Sequence, residues 1–340
     1  IYNLIMAKKL NITNEQSFIS FIKKLNNAKG TSKQKNILRH IGDDAAVFSN
    51  FSNRSVFATD AMVDGFHFHS NNSKWIDIGW KCSVSNLSDI AAMGAVPDYA
   101  LVTIGVSQNY PKDKYLEFFK GINEALTTYD CEVIGGDIVG TNNIFINIAI
   151  IGHIRDKNFL SRNSAQPGDV VYVTGELGGS AGGLDLLLKG EKIKDNYSKN
   201  LINRHFRPYP RLDISQNIIN ENIRCAMDIS DGLYTDLEKI SIESNVDIKI
   251  FLDQVPIDKN LSTHTLEKQI EFSLHGGEDY ELIIIGDIDK INSLNKQFNQ
   301  KGKIIGEIVK KSSAPKITIL DKNNNIYKTN HYGWDHLNNG

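Results

Sequence analysis

The sequence predicts an α/β (α+β) protein of two domains. A chain of 340 residues is long enough to bury two ordinary cores. Strand-like and helix-like segments alternate in both halves. Between the halves lies a polar, turn-rich stretch over 155–169 that ends in Gln166-Pro167-Gly168-Asp169. The boundary is placed there, giving domains over 1–154 and 155–340.

In chain order, residues 15–25 place Phe18, Ile19, Phe21, Ile22 and Leu25 at helical spacing. Residues 44–48 and 55–60 read as neighbouring strands with acidic residues at their ends, and 76–93 as a helix stopped by Gly94 and Val96-Pro97. A strand over 99–107, a helix over 115–129, a strand over 131–134 running into a Gly135-Gly136-Asp137 loop, and a strand over 144–154 complete the first half. The second half opens with a strand over 170–174, and its glycine loop Gly178-Gly179-Ser180-Ala181-Gly182-Gly183 leads into a helix over 184–188. Strands over 225–229, 247–252, 280–286, 304–308 and 317–320, with a helix over 233–244, follow. Each half thus carries a strand, a glycine-aspartate loop and a helix.

Composition narrows the functional classes. With 41% hydrophobic and 23% charged residues and a net charge of -2, nothing global points to nucleic acid or an anionic membrane as partner. No run approaches the roughly 20 apolar residues of a membrane span, and the expected compartment is the cytoplasm. The three cysteines, Cys82, Cys131 and Cys225, lack the spacing of a zinc or redox motif and are expected as buried thiols.

The chemistry sits in short acidic motifs: Gly42-Asp43-Asp44, Thr59-Asp60, Ser88-Asp89, Gly136-Asp137, Asp228-Ile229-Ser230-Asp231-Gly232 and Gly277-Glu278-Asp279. Carboxylates converging in one cleft repel unless cations intervene, and an oxygen-only donor set suits magnesium with phosphates in the rest of its shell. Each motif also has a plainer reading. Gly-Asp is common at turns, Thr59-Asp60 could cap or turn a strand end, and Asp231 could cap the helix that follows. In an extended segment Asp228 and Ser230 would share one face. The double glycine before Asp137 would admit a phosphate to the backbone. The 178–183 loop matches neither the P-loop nor the dinucleotide fingerprint, and a tight helix-strand contact explains it as well. His67, between aromatics, reads equally as a strand histidine; Trp334 either anchors the tail or stacks on a flat ring.

As an ordered series these stretches resemble the thiamine-monophosphate kinase family: Ile41-Gly42-Asp43-Asp44-Ala45-Ala46, Thr59-Asp60 with His67-Phe68, 86–95, Gly135-Gly136-Asp137, Leu160-Ser161-Arg162, 228–233, 276–282 and Gly333-Trp334-Asp335-His336. The resemblance implies the fold shared with aminoimidazole ribonucleotide synthetase. It implies an N-terminal ATP/magnesium-binding domain that dimerises through its sheet, and a C-terminal α/β domain closing the active-site cleft. It implies several Mg2+ ions with Asp44, Thr59, Asp60, Asp89, Asp137, Asp228 and Asp231 as ligands. Gly136, Asp137, Arg162 and Ser230 would lie near ATP, and His67, Glu278 and Trp334 would face thiamine phosphate. The residue before Thr59, often serine in the family, is Ala58 here, so one ion is expected to be held by water or backbone. No general base is expected, because the acceptor phosphate is already an anion. Two other enzymes of the superfamily fit less well: Gly277-Glu278-Asp279-Tyr280 speaks against aminoimidazole ribonucleotide synthetase, and the lack of an early cysteine against selenophosphate synthetase. A non-catalytic nucleotide or metal sensor would not be expected to keep the full acidic set.

Overall fold

The computed structural model describes residues 24, 37–39, 47–48, 54–155, 158–190, 195–298 and 302–329. The expected helix over 15–25 lies outside them except for the helical Lys24, and so do Asp44 and Trp334. Two compact units emerge: Ile1–Asn86 with Pro97–His153, and Leu87–Val96 with Ile154–Gly340.

In the first unit a short ladder joins β1 (Ile37–Arg39) to β2 (Val47–Phe48). The main sheet holds β3 (Ser55–Val63), β4 (Val96–Val106), β5 (Glu132–Gly140) and β6 (Phe145–His153) in the order β3-β6-β4-β5. β3 pairs antiparallel with β6 and β4 parallel with β5. The period-2 pattern sorts the faces. Met62, Ile146, Ile148, Ile150, Val102 and Ile104 are buried on one, whereas Phe57 and Leu101 are exposed on the other. Helix α1 (Trp75–Ala92) meets the buried face, where Cys82 Sγ contacts Met62 Sδ at 3.3 Å, and α2 (Lys112–Thr128) follows β4.

The second unit is built on six strands: β7 (Val170–Val173), β8 (Cys225–Asp228), β9 (Val246–Phe251), β10 (Leu282–Gly286), β11 (Lys303–Lys311) and β12 (Ile317–Leu320). Their order is β12-β9-β11-β7-β10-β8, antiparallel except for the β12/β9 pair. Both faces are covered, which is why β10 reads as an unbroken apolar run. Val171, Val173, Met227, Ile283 and Ile285 pack with Leu233, Leu237 and Ile240 of α6 (Leu233–Ser244) and Leu274 of α7 (Leu266–His275). Tyr172, Ala226 and Ile284 face Ile214 and Ile218 of α5 (Leu212–Asn220) and Ile291 and Leu294 of α8 (Ile288–Gln297). The remaining pair, α3 (Gly179–Lys189) and α4 (Asn196–Phe206), pack on each other.

Several expectations shift. Thr59 and Asp60 lie in the middle of β3, not at a strand end, and Gly135-Gly136-Asp137 continues β5 instead of forming a loop. His67 sits in the 65–67 turn, not in a strand. The 178–183 glycines belong largely to α3, which starts at Gly179. Helices α4, α5, α7 and α8 were not foreseen. All three cysteines are buried and outside any disulfide. Among the described residues no helix is long and apolar enough to cross a membrane.

Candidate functional site

In the first unit, Thr59 and Asp137 lie on β3 and β5, the two edge strands, with β6 and β4 between them. Thr59 Oγ1 donates to Asn147 Oδ1 at 3.0 Å, which leaves hydroxyl lone pairs to accept or ligate. Asp60 lies opposite the buried Ile148 yet is exposed, and its backbone N–H donates to Asn86 Oδ1 of α1 at 3.1 Å. Asp137 is exposed opposite Thr103, with Oδ1 accepting from the Ile138 N–H at 2.8 Å. Gly136 is held against β4 so closely that a Cβ would stand 1.8 Å from the Val102 carbonyl oxygen. His67 Nδ1 accepts from the Val63 N–H at 3.1 Å, which places the proton of the neutral ring on Nε2. Asp64 accepts from Ser70 and clasps that turn, and Ser70 Oγ reaches Tyr110 at 2.8 Å.

The second unit brings two acidic motifs side by side. Strand β8 ends at Asp228, but its pairing with the β10 side runs on. The Ile229 N–H donates to the Glu281 carbonyl at 2.8 Å, the Tyr280 N–H to Ile229 at 3.0 Å, and the Glu278 N–H to Ser230 at 2.8 Å. The 228–231 and 278–281 segments therefore lie against each other over their length. Glu278 and Tyr280 both adopt left-handed backbone, at φ 65° and 52°, which only a well-determined surrounding sustains in non-glycine residues.

Asp228 is buried and accepts from Ser88 Oγ at 2.7 Å, so Ser88-Asp89 of α1 meets the β8 terminus; Asp89 itself is half-buried. Strand β8 stops at Asp228, so Ser230 lies just beyond the extended segment in which the two were expected to share a face. Nor does Asp231 cap α6. Gly232 is the cap residue and makes no side-chain cap bond. Instead Asp236, within the helix, reaches back: its Oδ2 accepts from the Ser230 and Asp231 N–H groups, each at 3.0 Å. Lys239 bridges Asp231 at 2.6 Å and Asp236 at 2.7 Å. Burial pushes the Asp236 carboxyl up to about 6 against the pull of Lys239, with Asp231 and Asp228 adding to the rise. Lys239 is held above the usual lysine range, since Asp236 and Asp231 outweigh the cost of its burial.

The Glu278-to-Glu281 motif is tied to α3 and α4. Asp279 accepts from the Gly178 N–H at 2.6 Å and the Ser180 N–H at 3.1 Å, so its carboxylate occupies the N-terminus of α3. The start of α3 is thus a docking point for Asp279. Burial pushes Asp279 up to about 6, opposed by Arg204 and the two N–H donors. Arg204 stands 3.3 Å from Asp258, 3.7 Å from Asp279 and 3.9 Å from Glu281, and Arg211 stands 3.3 Å from Glu281. Arg162 is exposed on a short turn whose carbonyl accepts from Ser244 Oγ at 2.6 Å.

Asn147, Arg204, Arg211, Asp236 and Lys239 were not singled out from the sequence, and Asn86 and Ser88 lay within singled-out stretches without these partners.

Comparison with known proteins agrees with this architecture. The family model for AIR synthase related protein, N-terminal domain, matches residues 42–154, and that for the C-terminal domain matches 166–316. The thiamine-monophosphate kinase of Bacillus subtilis (strain 168) is 36% identical over 250 residues, covering 71% of this chain and 75% of its own. The crystal structure of thiamine-monophosphate kinase from Stenotrophomonas maltophilia K279a superposes with a TM-score of 0.79 at 29% identity, covering 88% of this chain and 95% of that one. AaThiL complexed with AMPPCP and TMP gives a TM-score of 0.75 at 29% identity, covering 97% of this chain and 99% of the other. The two-domain AIR synthase-like fold expected from the sequence is the one observed, and the chain belongs to the thiamine-monophosphate kinase family.

Proposed function

We propose that the chain transfers the γ-phosphoryl group of ATP to thiamine phosphate, giving thiamine diphosphate and ADP. The observation that carries this reading is the run of backbone hydrogen bonds that sets the 228–231 segment against the 278–281 segment, in a chain of this family. A related structure in complex with AMPPCP, an ATP analogue, and TMP supports the two substrates.

Magnesium fits the donor set. Asp44, Thr59, Asp60, Asp89, Asp137, Asp228 and Asp231 offer oxygen only, which hard cations prefer over the histidine and cysteine ligands of zinc sites. Among the described residues no group of three or more His, Cys, Asp or Glu side chains is arranged to hold a metal, so phosphate and water oxygens are expected to complete any shell. When bound, Mg2+ would offset the repulsion between acceptor phosphate and γ-phosphate and hold them in line. Arg162 and the Gly136 and Ser230 backbone are assigned to ATP, and Asp137 to both ATP and metal. Ser88 keeps Asp228 oriented, and Asp236 fixes the Ser230 and Asp231 amides. His67, carrying its proton on Nε2, acts toward thiamine phosphate as a donor. Trp334 is assigned to the same substrate.

The transfer is direct. An oxygen of thiamine phosphate attacks Pγ, the Pγ–O bond to the β-phosphate breaks, and ADP leaves with the electron pair, without a general base or a phosphoenzyme. The expected result is ADP released stoichiometrically with thiamine diphosphate only when ATP, Mg2+ and thiamine phosphate are all present. Label transferred from γ-labelled ATP to the protein alone would contradict the direct step.

The first domain, over 1–154, is assigned ATP, magnesium and dimer contacts, and 155–340 the closure of the cleft, in a cytoplasmic enzyme that binds neither nucleic acid nor membrane. A homodimer through the first-domain sheet suits the exposed Phe57 (71%), Leu101 (37%) and Val139 (37%) on its strands. Sedimentation equilibrium is expected to give twice the 38.1 kDa chain mass, and Phe57→Asp to shift it toward one.

A further inference from the structure

His205 is a buried, titratable side chain on α4 that faces the Glu278 motif and takes no part in the proposed transfer. Its Nδ1 lies 3.2 Å from Ser180 Oγ and 3.7 Å from Glu278 Oε2. The His205 side chain is 7% exposed, whereas that of Glu278 is 26% exposed, so the histidine stands behind the carboxylate rather than before the solvent. Nδ1 thus stands within hydrogen-bond distance of Ser180 Oγ and at ion-pair distance from Glu278, where a proton on Nδ1 is attracted by the carboxylate and a lone pair is repelled.

The frame that holds this contact is built from both sides. Asp279 locks Ser180 through its backbone N–H, and α4 reaches α3 only because residue 183 is glycine, where a Cβ would stand 2.3 Å from the Leu201 carbonyl and 3.0 Å from His205 Cβ. Glu278 is presented from a left-handed backbone at φ 65°. Adjacent residues of α4 thus serve adjacent acids: Arg204 faces Asp279 and Glu281, and His205 faces Glu278.

We propose that His205 is a positioning residue for thiamine phosphate: with Ser180 it fixes the Glu278 carboxylate in the orientation that meets the cationic heterocycle of the acceptor. This inference rests on the assignment of Glu278 to that substrate.

The test uses the full chain with Glu278→Gln, His205→Asn, His205→Gln and the double variant His205→Gln/Glu278→Gln, reading kcat, both KM values and the thermal midpoint. Asparagine keeps a donor near the Nδ1 position, whereas glutamine moves it toward Nε2. Glu278→Gln and His205→Gln are each expected to raise the KM for thiamine phosphate roughly 5- to 10-fold. The KM for ATP and kcat should stay within about 2-fold, His205→Asn should stay near the parent, and the double variant should be no worse than Glu278→Gln. A raised KM in Glu278→Gln with none in His205→Gln would overturn the role of His205 alone. No change in Glu278→Gln would overturn the assignment of Glu278 and the inference with it. Loss of kcat and thermal midpoint in both histidine variants at unchanged KM would make His205 a packing residue only.

Discussion

Asp137→Asn is expected to lower kcat/KM for thiamine diphosphate formation by about 10^2- to 10^3-fold while leaving the fold intact. Asp137 is exposed on edge strand β5, and its Oδ1 accepts from the Ile138 N–H at 2.8 Å. An asparagine amide oxygen accepts that bond equally well. What disappears is the charge, and with it the attraction for a cation bridging phosphates. A surface change of this kind alters stability by no more than about 0.5 kcal/mol. Steady-state kinetics beside a urea titration separates the two effects: activity within a few-fold of the parent would remove Asp137 from the site.

One residue earlier, the same strand gives the largest stability effect. Gly136→Ala is expected to cost more than about 3 kcal/mol and to leave little folded protein. The added methyl would stand 1.8 Å from the Val102 carbonyl oxygen and 2.9 Å from the Val102 nitrogen, both backbone atoms of the paired strand. Backbone φ at Gly136 is 155°, at the margin of what a side chain tolerates. β4 and β5 would have to part in the middle of their ladder. Gly135→Ala is the control: its methyl would meet only the mobile end of Leu101 at 3.1 Å, so a loss under about 1 kcal/mol is expected. Equal urea midpoints for the two variants would refute this account of β5.

These glycines also show how far the sequence could be read. Two adjacent glycines before an aspartate suggest a loop that admits phosphate, but Gly136 is required because β4 passes against it, and that requirement comes from a partner strand some thirty residues away. The apolar strands and amphipathic helices were legible where period decided the matter: α6 and β12 fall over the residues their hydrophobic spacing marks. Helix α4 was not, because Asn196–Phe206 is largely polar and only Leu201 and His205 are buried along it. That omission hid Arg204 and His205, the residues that hold the Glu278-to-Glu281 motif. The acidic motifs themselves stood out by composition, but their division of labour did not. Asp279 is internal to the fold, capping α3, and it is Asp236, not Asp231, that accepts from the amides just ahead of α6. Local sequence carries period and turn chemistry, whereas these carboxylates take their roles from partners that only the tertiary fold supplies.

The most direct test of the central claim is a phosphorus NMR time course of the purified chain with ATP, Mg2+ and thiamine phosphate. The thiamine phosphate signal is expected to be replaced by the paired resonances of thiamine diphosphate at the rate at which ADP appears. ADP accompanied by inorganic phosphate, with thiamine phosphate unchanged, would contradict the claim.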